Sequence, residues 1–264
     1  MSFFSVNHIS AGYRNTRVIK DVCFELESGQ LMGILGANGS GKTTLLKAMC
    51  GNLPHTGNVI LEECNLETLS ARQISQLCSY IPQRSGINID ISVLDVVLMG
   101  YNPRLSILEH PNTAMRVNAL RVLDQVGLAG KESINYMHLS EGQKQLCILA
   151  RTLVADTRLL LLDEPESALD FRYRYRMLDI LRQWVRENDR SVIMTLHDPL
   201  LALNYCDQLL LLKDGEMLGE IYPQRDSLEK MEQMLSQVYG IVSLQHVVTR
   251  SGHRSLVMLK EDEE

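Results

Sequence analysis

The sequence predicts an α/β fold: a mixed sheet with flanking helices, an antiparallel β subdomain at the N-terminus and an inserted α-helical subdomain. Three observations predict this fold. The apolar run at 31–35, a glycine-rich loop and an apolar-periodic segment at 44–50 indicate a strand, a loop and a helix in succession. Apolar alternation within the first 26 residues is typical of paired strands. From about 84 to 147 the patterns are helical, before a leucine-rich strand signal returns at 158–162.

The remaining elements follow from periodicity and from the positions of glycine and proline. Strands are predicted at 3–9, 17–26, 57–61, 78–83, 191–196 and 208–212, and helices at 70–79, 93–99, 113–126, 171–187 and from 141 onward. The helix at 171–187 is predicted to be amphipathic. Its apolar side carries Phe171, Tyr175, Leu178, Leu181 and Val185. After residue 227 the pattern predicts another helix and a hairpin around Ser251 and Gly252.

The composition is that of a folded globular protein, with 264 residues, 45% of them hydrophobic and 22% charged. The formal net charge of −6 argues against binding dominated by nucleic-acid phosphates, so we expect no nucleic-acid partner. The N-terminus lacks the basic segment and apolar core of a signal peptide, and no run of about 18 apolar residues could span a bilayer. The six cysteines form no C-x-x-C pair, and four lie in apolar stretches, which predicts buried thiols.

A phosphate-binding loop is the most specific motif in the chain. The sequence GANGSGKT at 36–43 follows the strand at 31–35 and opens a helix. Glycines allow successive backbone N–H groups to point into one concavity, and the helix N-terminus adds partial positive charge. Lys42 can then reach the β- and γ-phosphates of a nucleotide, and the Thr43 hydroxyl can bind Mg²⁺. The loop therefore predicts nucleotide binding.

Two further motifs carry polar groups at the ends of elements. In RLLLLDEP, at 158–165, Asp163 ends a buried strand and could hold a Mg²⁺ shell, while the adjacent Glu164 could position or deprotonate a water. In HLSEGQ, Ser140 is suited to cap a helix, with Gln143 three residues later completing a capping box. The Ser140 hydroxyl and the Gly142 N–H at that helix N-terminus could also bind phosphate.

Taken in order, these motifs resemble those of the ATP-binding subunits of ABC transporters, over essentially the whole chain. GANGSGKT resembles the Walker A motif, LSEGQ the signature, LLLLDEP the Walker B motif, and residues 167–170 the D-loop. Gln83 stands at the position of the Q-loop glutamine and His197 at that of the switch histidine. Tyr13 matches the aromatic residue that stacks on adenine.

The resemblance implies a P-loop NTPase core that uses ATP and Mg²⁺. It implies catalytic roles for Glu164, His197 and Gln83, with Glu164 as the general base. The implied Mg²⁺ ligands are Thr43, Gln83 and Asp163. The residues implied to contact ATP are Tyr13, Gly36, Asn38, Gly39, Ser40, Gly41, Lys42, Thr43, Thr44, Ser140, Gly142, Gln143 and Asp170.

The same resemblance implies a domain plan and partners. Residues 1–264 would form one ABC ATPase domain, with a nucleotide-binding core at 1–84 and 148–223, a helical signature subdomain at 85–147 and a short extension at 224–264. Two copies would sandwich two ATP molecules, so that Ser140 and Gly142 act on the ATP held by the other copy. Integral membrane permease subunits would keep the chain on the cytoplasmic face of the cell membrane, as a peripheral subunit.

The pattern Val93, Val97 and Gly100 followed by Pro103 resembles the importer branch for iron siderophores, haem and vitamin B12. That branch would imply, indirectly, an extracytoplasmic substrate-binding protein. Two alternatives stay open: a soluble ABC ATPase without a permease, such as an iron–sulfur assembly ATPase, and a transporter subunit for another cargo. A DNA-repair ATPase would need a long inserted coiled coil, and no such heptad run exists.

Three residues depart from the family pattern. Glu141 stands where glycine is more usual, Glu166 where threonine is common, and Lys144 where arginine is frequent. Because a carboxylate beside an ATP phosphate would repel it, we expect Glu141 to point away from the nucleotide. The departures put the efficiency of ATP hydrolysis in question and not the class of protein, and a slow or tightly regulated ATPase would be consistent with them.

Overall fold

The computed structural model describes residues 2–83, 86–106, 108–187, 189–250, 252 and 254–261. Their strands are β1 (Phe4–Tyr13), β2 (Thr16–Leu26), β3 (Leu31–Leu35), β4 (His55–Leu61), β5 (Cys64–Asn65), β6 (Cys78–Ile81), β7 (Leu159–Asp163), β8 (Ser191–Thr195), β9 (Gln208–Lys213), β10 (Glu216–Ile221), β11 (Val242–Val248) and β12 (Arg254–Lys260). Their α-helices are α1 (Lys42–Met49), α2 (Ala71–Leu77), α3 (Val93–Leu98), α4 (Thr113–Val126), α5 (Glu141–Ala155), α6 (Phe171–Glu187), α7 (Pro199–Tyr205) and α8 (Leu228–Tyr239).

The chain divides into two compact units, residues 1–67 with 193–264 and residues 68–192. The first unit contains the predicted N-terminal antiparallel sheet, in the order β2–β1–β4–β5. Alternating side chains of β1 and β2 are buried, among them Phe4, Ile9 and Leu26, none of which exposes any surface. One apolar face and one solvated face are what an antiparallel sheet of this kind requires.

A second sheet of the first unit carries the phosphate loop. Its order is β10–β9–β3–β8, with β9 parallel to β3 and antiparallel to β10, so the sheet is mixed as predicted. Every residue of β3 is buried, as are the four leucines of β9. Parallel strands that are buried on both faces have continuous apolar sequences. This explains why both strands could be predicted from the sequence.

The second unit combines a short parallel pair with helices. Strands β6 and β7 pair in parallel from Cys78 opposite Leu159 to Ile81 opposite Leu162. Helices α3 and α4 pack against α5, whose buried face runs from Leu146 to Ala155. Helix α4 is capped at its C-terminus by Gly127, which has a φ of 85°, and the Arg176 guanidinium of α6 donates to the carbonyl oxygen of Gln125 in the last turn. These helices are the ones that the sequence predicts.

The C-terminal part of the first unit consists of α8 and the β11–β12 hairpin, in agreement with the predicted helix and hairpin. Met231 and Leu235 of α8 are buried, as are Val242 and Leu244 of β11. The predicted turn residue Ser251 and the last three acidic residues, 262–264, lie outside the described residues. Among the helices of the described residues, none is long and apolar enough to cross a membrane.

One prediction about the apolar face of α6 is wrong. Leu178, Leu181 and Val185 are buried, but 75% of Phe171 is exposed. Phe171 is the first residue of the helix, where the chain has just turned, and its ring contacts only the half-buried Tyr175 among the aromatic side chains described, at 4.7 Å between centroids. Helical periodicity predicts the face of the helix on which a side chain lies. It does not predict whether another segment packs against that side chain.

Three elements were not predicted: β5, α7 and β10. Strand β10, EMLGEI, has no clear apolar alternation and is a strand because the edge of β9 offers backbone hydrogen bonds. Helix α7 does have a local signal, since the Asp198 side chain accepts from the Leu200 and Leu201 N–H groups and Pro199 is the first helical residue.

The cysteines are largely buried, as the sequence predicts. Cys50, Cys78, Cys147 and Cys206 are buried, Cys23 is half-buried and Cys64 is exposed, and all six are free thiols. Burial raises the pKa of the Cys147 thiol from 9.0 to about 12 and that of Cys50 to about 11. Fewer of these thiols ionise at neutral pH than the ordinary value would allow, and the thiolate is the reactive form.

We therefore expect only two cysteines to react with a thiol reagent in the native protein. Cys64 should react fastest and Cys23 more slowly, while the four buried thiols should react only after unfolding. Mass spectrometry of tryptic peptides after timed labelling at pH 8 measures each site. Rapid labelling of Cys147 in the folded protein would contradict the burial described above.

Candidate functional site

The phosphate loop is a closed turn between β3 and α1. The Ser40 N–H donates to the Ala37 carbonyl oxygen at 3.1 Å. Lys42 is buried, and its ammonium group donates to the carbonyl oxygens of Gly36 at 2.8 Å and Ala37 at 3.2 Å. The lysine charge is thus held at the loop instead of extending into solvent.

Two glycines of the loop have no space for a side chain. A Cβ at Gly36 would lie 2.3 Å from the Leu212 carbonyl oxygen, where β9 passes the loop. Gly41 has a φ of 104°, and a Cβ there would lie 2.5 Å from Cδ1 of Ile19. Both positions need glycine, one for close approach and one also for the left-handed backbone. Packing against neighbouring strands therefore requires glycine at these two positions of the motif.

The loop offers hydrogen-bond donors to an anion. The N-terminus of α1 begins at Gly41 and has no side-chain cap, so its first N–H groups face the loop. The Ser40 hydroxyl oxygen is buried, with no hydrogen-bond partner among the described residues. Together with the Lys42 charge, these groups fit a bound phosphate, whose oxygens accept from all of them.

Other strands of the first unit support the loop from outside. The Gly215 N–H, in the turn between β9 and β10, donates to the Ser40 carbonyl oxygen at 3.1 Å. The Leu196 N–H donates to the Ile34 carbonyl oxygen at 3.2 Å, so the carboxyl ends of β8 and β3 lie side by side. His197 follows directly and is exposed, and Tyr13 is 46% exposed at the end of β1.

The predicted loop residues share this environment. Gly36, Ser40, Gly41, Lys42 and Thr44 are buried; Thr43 is half-buried; and Asn38 and Gly39 are exposed.

In the second unit, three predicted residues come together at the end of β7. Asp163 is 2% exposed, and its Oδ2 lies 3.4 Å from the Tyr80 hydroxyl, which donates to it. Glu164, next in the chain, is half-buried and has a φ of 49°. The amide Nε2 of Gln83 donates to Glu164 Oε2 at 2.5 Å. A left-handed glutamate is a strained arrangement of the kind found at functional sites.

The signature segment forms the predicted capping box at the start of α5. The Ser140 Oγ accepts from the Gln143 N–H, and the Gln143 side chain accepts from the Ser140 N–H. Ser140 is exposed, and Gly142 and Gln143 are half-buried. A Cβ at Gly142 would lie 3.3 Å from the Ala168 carbonyl oxygen, so the signature glycine packs against the D-loop segment.

Glu141 is directed toward solvent and its own helix. Its side chain is 77% exposed, and its carboxylate pairs with the Lys144 ammonium at 2.7 Å. The two departures from the family pattern therefore compensate each other in charge. The remaining predicted residue, Asp170, caps α6, because its Oδ1 accepts from the Tyr173 N–H at 3.0 Å.

Two residues of this cluster, Tyr80 and Gln145, were not predicted from the sequence to belong to the site. Besides Tyr80, Gln145 of α5 donates from its amide to the Gln83 carbonyl oxygen at 2.9 Å, which ties the signature helix to the Q-loop residue. No local pattern distinguishes either residue from an ordinary strand or helix position. Their contribution depends on contacts between segments that are 62 and 83 residues apart in the chain.

Comparison with known proteins agrees with this set of motifs. The sequence profile of the family described as ABC transporter matches residues 19–167. The hemin import ATP-binding protein HmuV of Bordetella pertussis is 37% identical over 233 residues, which cover 85% of this chain and 87% of that protein. A Helicobacter pylori iron chelatin transport ATP-binding protein is 33% identical over 214 residues, covering 80% and 84% of the two chains.

Solved structures share the fold. A structure described as a metal-chelate type ABC transporter in an inward-facing conformation superimposes with a TM-score of 0.82, 24% sequence identity and 99% coverage of both chains. The family match spans more than half of the 264 residues, and the curated relatives exceed 30% identity over most of the chain. The chain therefore belongs to the ABC transporter family.

Proposed function

We propose that this chain powers an ABC importer that takes up an iron chelate, such as a siderophore or haem, or a corrinoid. ATP hydrolysis coupled to transport is the activity of the family to which the chain belongs. The observation that carries the cargo class is 37% identity to a hemin import protein over 85% of the chain, supported by the iron chelatin relative. The pattern of Val93, Val97 and Gly100 before Pro103 favours the same branch.

ATP is held through its phosphates by the loop at 36–43. The uncapped N–H groups of α1, the buried Ser40 hydroxyl and the Lys42 ammonium supply donors and positive charge. Lys42 exchanges its bonds to the Gly36 and Ala37 carbonyl oxygens for bonds to phosphate. Tyr13 stacks on the adenine with its exposed ring face.

Thr43, Gln83 and Asp163 are the residues that would hold Mg²⁺. A hydroxyl, an amide oxygen and a carboxylate are all hard oxygen donors, which is the ligand type that Mg²⁺ selects. When bound, the ion neutralises charge on the phosphates. Asp163 is suited to this role because it is 2% exposed and the Tyr80 hydroxyl holds one of its oxygens.

Glu164 acts as the general base. The Gln83 amide orients its carboxylate, and the left-handed backbone at Glu164 directs the side chain away from the line of β7. A carboxylate in this position accepts a proton from water as that water attacks the γ-phosphate. His197 contacts the γ-phosphate and donates one N–H to it.

The signature acts in trans on the ATP of a second copy. Ser140 is exposed and offers its hydroxyl and the N-terminus of α5, and the Glu141 carboxylate is neutralised by Lys144. Gly142 has no side chain, and it packs closely against the D-loop segment at Ala168. A homodimer with two shared sites follows, and one chain alone hydrolyses ATP slowly.

A groove beside Gln83 is the proposed contact with the membrane permease. A cavity of about 670 Å³ is lined by Gln83, by the half-buried apolar side chain of Ile87 and by polar side chains, among them Asn88, Glu141, Lys144 and Gln145. Ile89, on the same segment, is 55% exposed. Exposed apolar side chains next to a groove are unusual unless a partner covers them. This surface favours a permease-coupled ATPase over the soluble alternative, and it would keep the chain at the membrane.

Replacing the proposed base should separate ATP binding from hydrolysis. In Glu164→Gln the side-chain oxygen still accepts from Gln83, but its basicity is lost, so we expect kcat to fall by about 10²- to 10⁴-fold while ATP affinity stays near normal. Phosphate release and equilibrium nucleotide binding measure the two effects. Glu187→Gln is the matched control, because Glu187 also accepts from a glutamine amide, that of Gln183. Wild-type turnover by Glu164→Gln would contradict the assignment.

Mixing two inactive variants tests the shared site. Lys42→Ala removes the phosphate-loop charge, and Ser140→Asp retains a helix cap but repels phosphate. Each variant alone should hydrolyse ATP poorly. Their mixture should regain activity, because one of the two sites in a mixed dimer is intact. Ser70→Asp is the matched control, since Ser70 forms the same capping box on α2. No recovery in a mixture shown to contain mixed dimers would contradict the trans role.

The groove should be needed for membrane association but not for nucleotide binding. Ile89→Glu should prevent co-purification with the proposed membrane permease, because a carboxylate would be buried in an apolar contact. Val248→Glu is the control, at an apolar position that is 68% exposed against 55% for Ile89, and it should not change co-purification. ATP affinity should be unchanged in both variants. Failure of the wild-type chain to bind any permease would favour the soluble alternative.

A further inference from the structure

A second cluster of metal-binding side chains lies on the hairpin of β1 and β2. One ligand atom from each of His8, Asp21 and Cys23 lies within 4.8 Å of the other two. Nδ1 of His8 is 2.8 Å from Oδ1 of Asp21. All three residues belong to the first unit, and none has a role in the proposed nucleotide site. We propose that they bind one divalent transition-metal ion, and we expect that ion to be Zn²⁺.

The backbone is shaped to bring these side chains together. His8 has a φ of 55° and Asp21 a φ of 53°, a left-handed conformation that residues other than glycine adopt rarely. Both lie at irregularities in the β1–β2 register, on either side of the pair formed by Ile9 and Val22. A bulge changes the direction in which a side chain points, and bulges are common next to functional sites. Two of them here direct a histidine and a carboxylate toward one cysteine.

Neighbouring residues hold the bulges in place. The register of β1 against β4 also shifts between Asn7 and Ser10. Opposite that shift, Gly57 has a φ of 90°, and a Cβ there would lie 2.4 Å from the carbonyl oxygens of Asn7 and His8. The Asp21 N–H donates to the Ser10 hydroxyl at 2.9 Å. Gly57 of β4 therefore leaves room for the bulge at His8, and a hydrogen bond to β1 holds the backbone at Asp21.

The cysteine is also oriented. The His8 N–H donates to the Cys23 sulfur at 3.1 Å, a bond that a metal-bound thiolate can keep because the sulfur has further lone pairs. Such hydrogen bonds to a ligand atom orient it and tune the metal site. Cys23 is half-buried, so its sulfur is reachable from solvent but fixed in direction.

The donor set decides the class of metal. Imidazole nitrogen, carboxylate oxygen and thiolate sulfur together suit Zn²⁺ and related first-row ions, whereas Mg²⁺ selects oxygen ligands alone. Three protein ligands leave a fourth tetrahedral position for water or for a group from a partner. The His8 and Asp21 side chains are 75% and 73% exposed, so the ion can enter from solvent.

Metal titration of the full chain, reduced and free of nucleotide, tests the site. Calorimetry with Zn²⁺ should give one ion per chain. Anaerobic titration with Co²⁺ should produce a thiolate-to-cobalt charge-transfer band that Zn²⁺ removes. Zn²⁺ should also slow the alkylation of Cys23 without slowing that of the exposed Cys64.

Three variants remove one ligand each and keep the backbone. Glycine accepts the left-handed conformation at position 8, and asparagine accepts it at position 21, so His8→Gly and Asp21→Asn should retain the bulges. With Cys23→Ser, each should weaken Zn²⁺ binding at least about tenfold. Cys64→Ser and His246→Ala, which change exposed residues outside the cluster, should leave binding unchanged.

The proposal is overturned if the wild-type chain binds no Zn²⁺. It is also overturned if the three variants bind Zn²⁺ as tightly as the wild type, or if the Co²⁺ complex lacks the charge-transfer band. Circular dichroism and the midpoint of thermal unfolding in a chelator confirm that each variant is folded. In that case a loss of binding reports the missing ligand and not a lost fold.

Discussion

The first unit depends on the close approach of the phosphate loop to its neighbours. Gly36 faces the Leu212 carbonyl oxygen of β9, and Gly41 faces the side chain of Ile19 in β2. The Gly215 N–H binds the Ser40 carbonyl oxygen at the same place. The loop thus joins the mixed sheet to the antiparallel sheet. A side chain at either glycine would collide with its neighbour, so a change in the loop would disturb both sheets as well as phosphate binding.

The second unit has a comparable centre in the Gln83–Glu164 pair. The side chain of Gln83 holds the glutamate, while its carbonyl oxygen accepts from Gln145 of the signature helix. The carboxylate proposed as the base, the segment proposed to meet the permease and the helix proposed to meet a second copy therefore meet at one residue. A shift of any of them would alter the geometry around Glu164, and this is the physical route that the proposed coupling would use.

Strained backbone occurs in two places for related reasons. Glu164 and the pair of His8 and Asp21 adopt left-handed conformations that cost energy in residues with a Cβ. In each place hydrogen bonds with distant segments hold the strained residue, and in each the side chain is directed toward other polar groups. One of the two, Glu164, is the carboxylate proposed as the general base. The other lies on a hairpin for which the sequence predicted only an ordinary strand pair.

The sequence by itself determined the elements and motifs whose signals are local: the buried strands, the helix bounds at 113–126 and 171–187, the phosphate loop and the Ser140 capping box. The roles of the site residues stay predictions that the family supports. Only the tertiary structure decided that Phe171 is exposed, that β10 is a strand, and that His8 meets Asp21 and Cys23. Each of these outcomes depends on the register or cover supplied by another segment, and the identity of one residue and its near neighbours does not encode which distant segment will lie beside it.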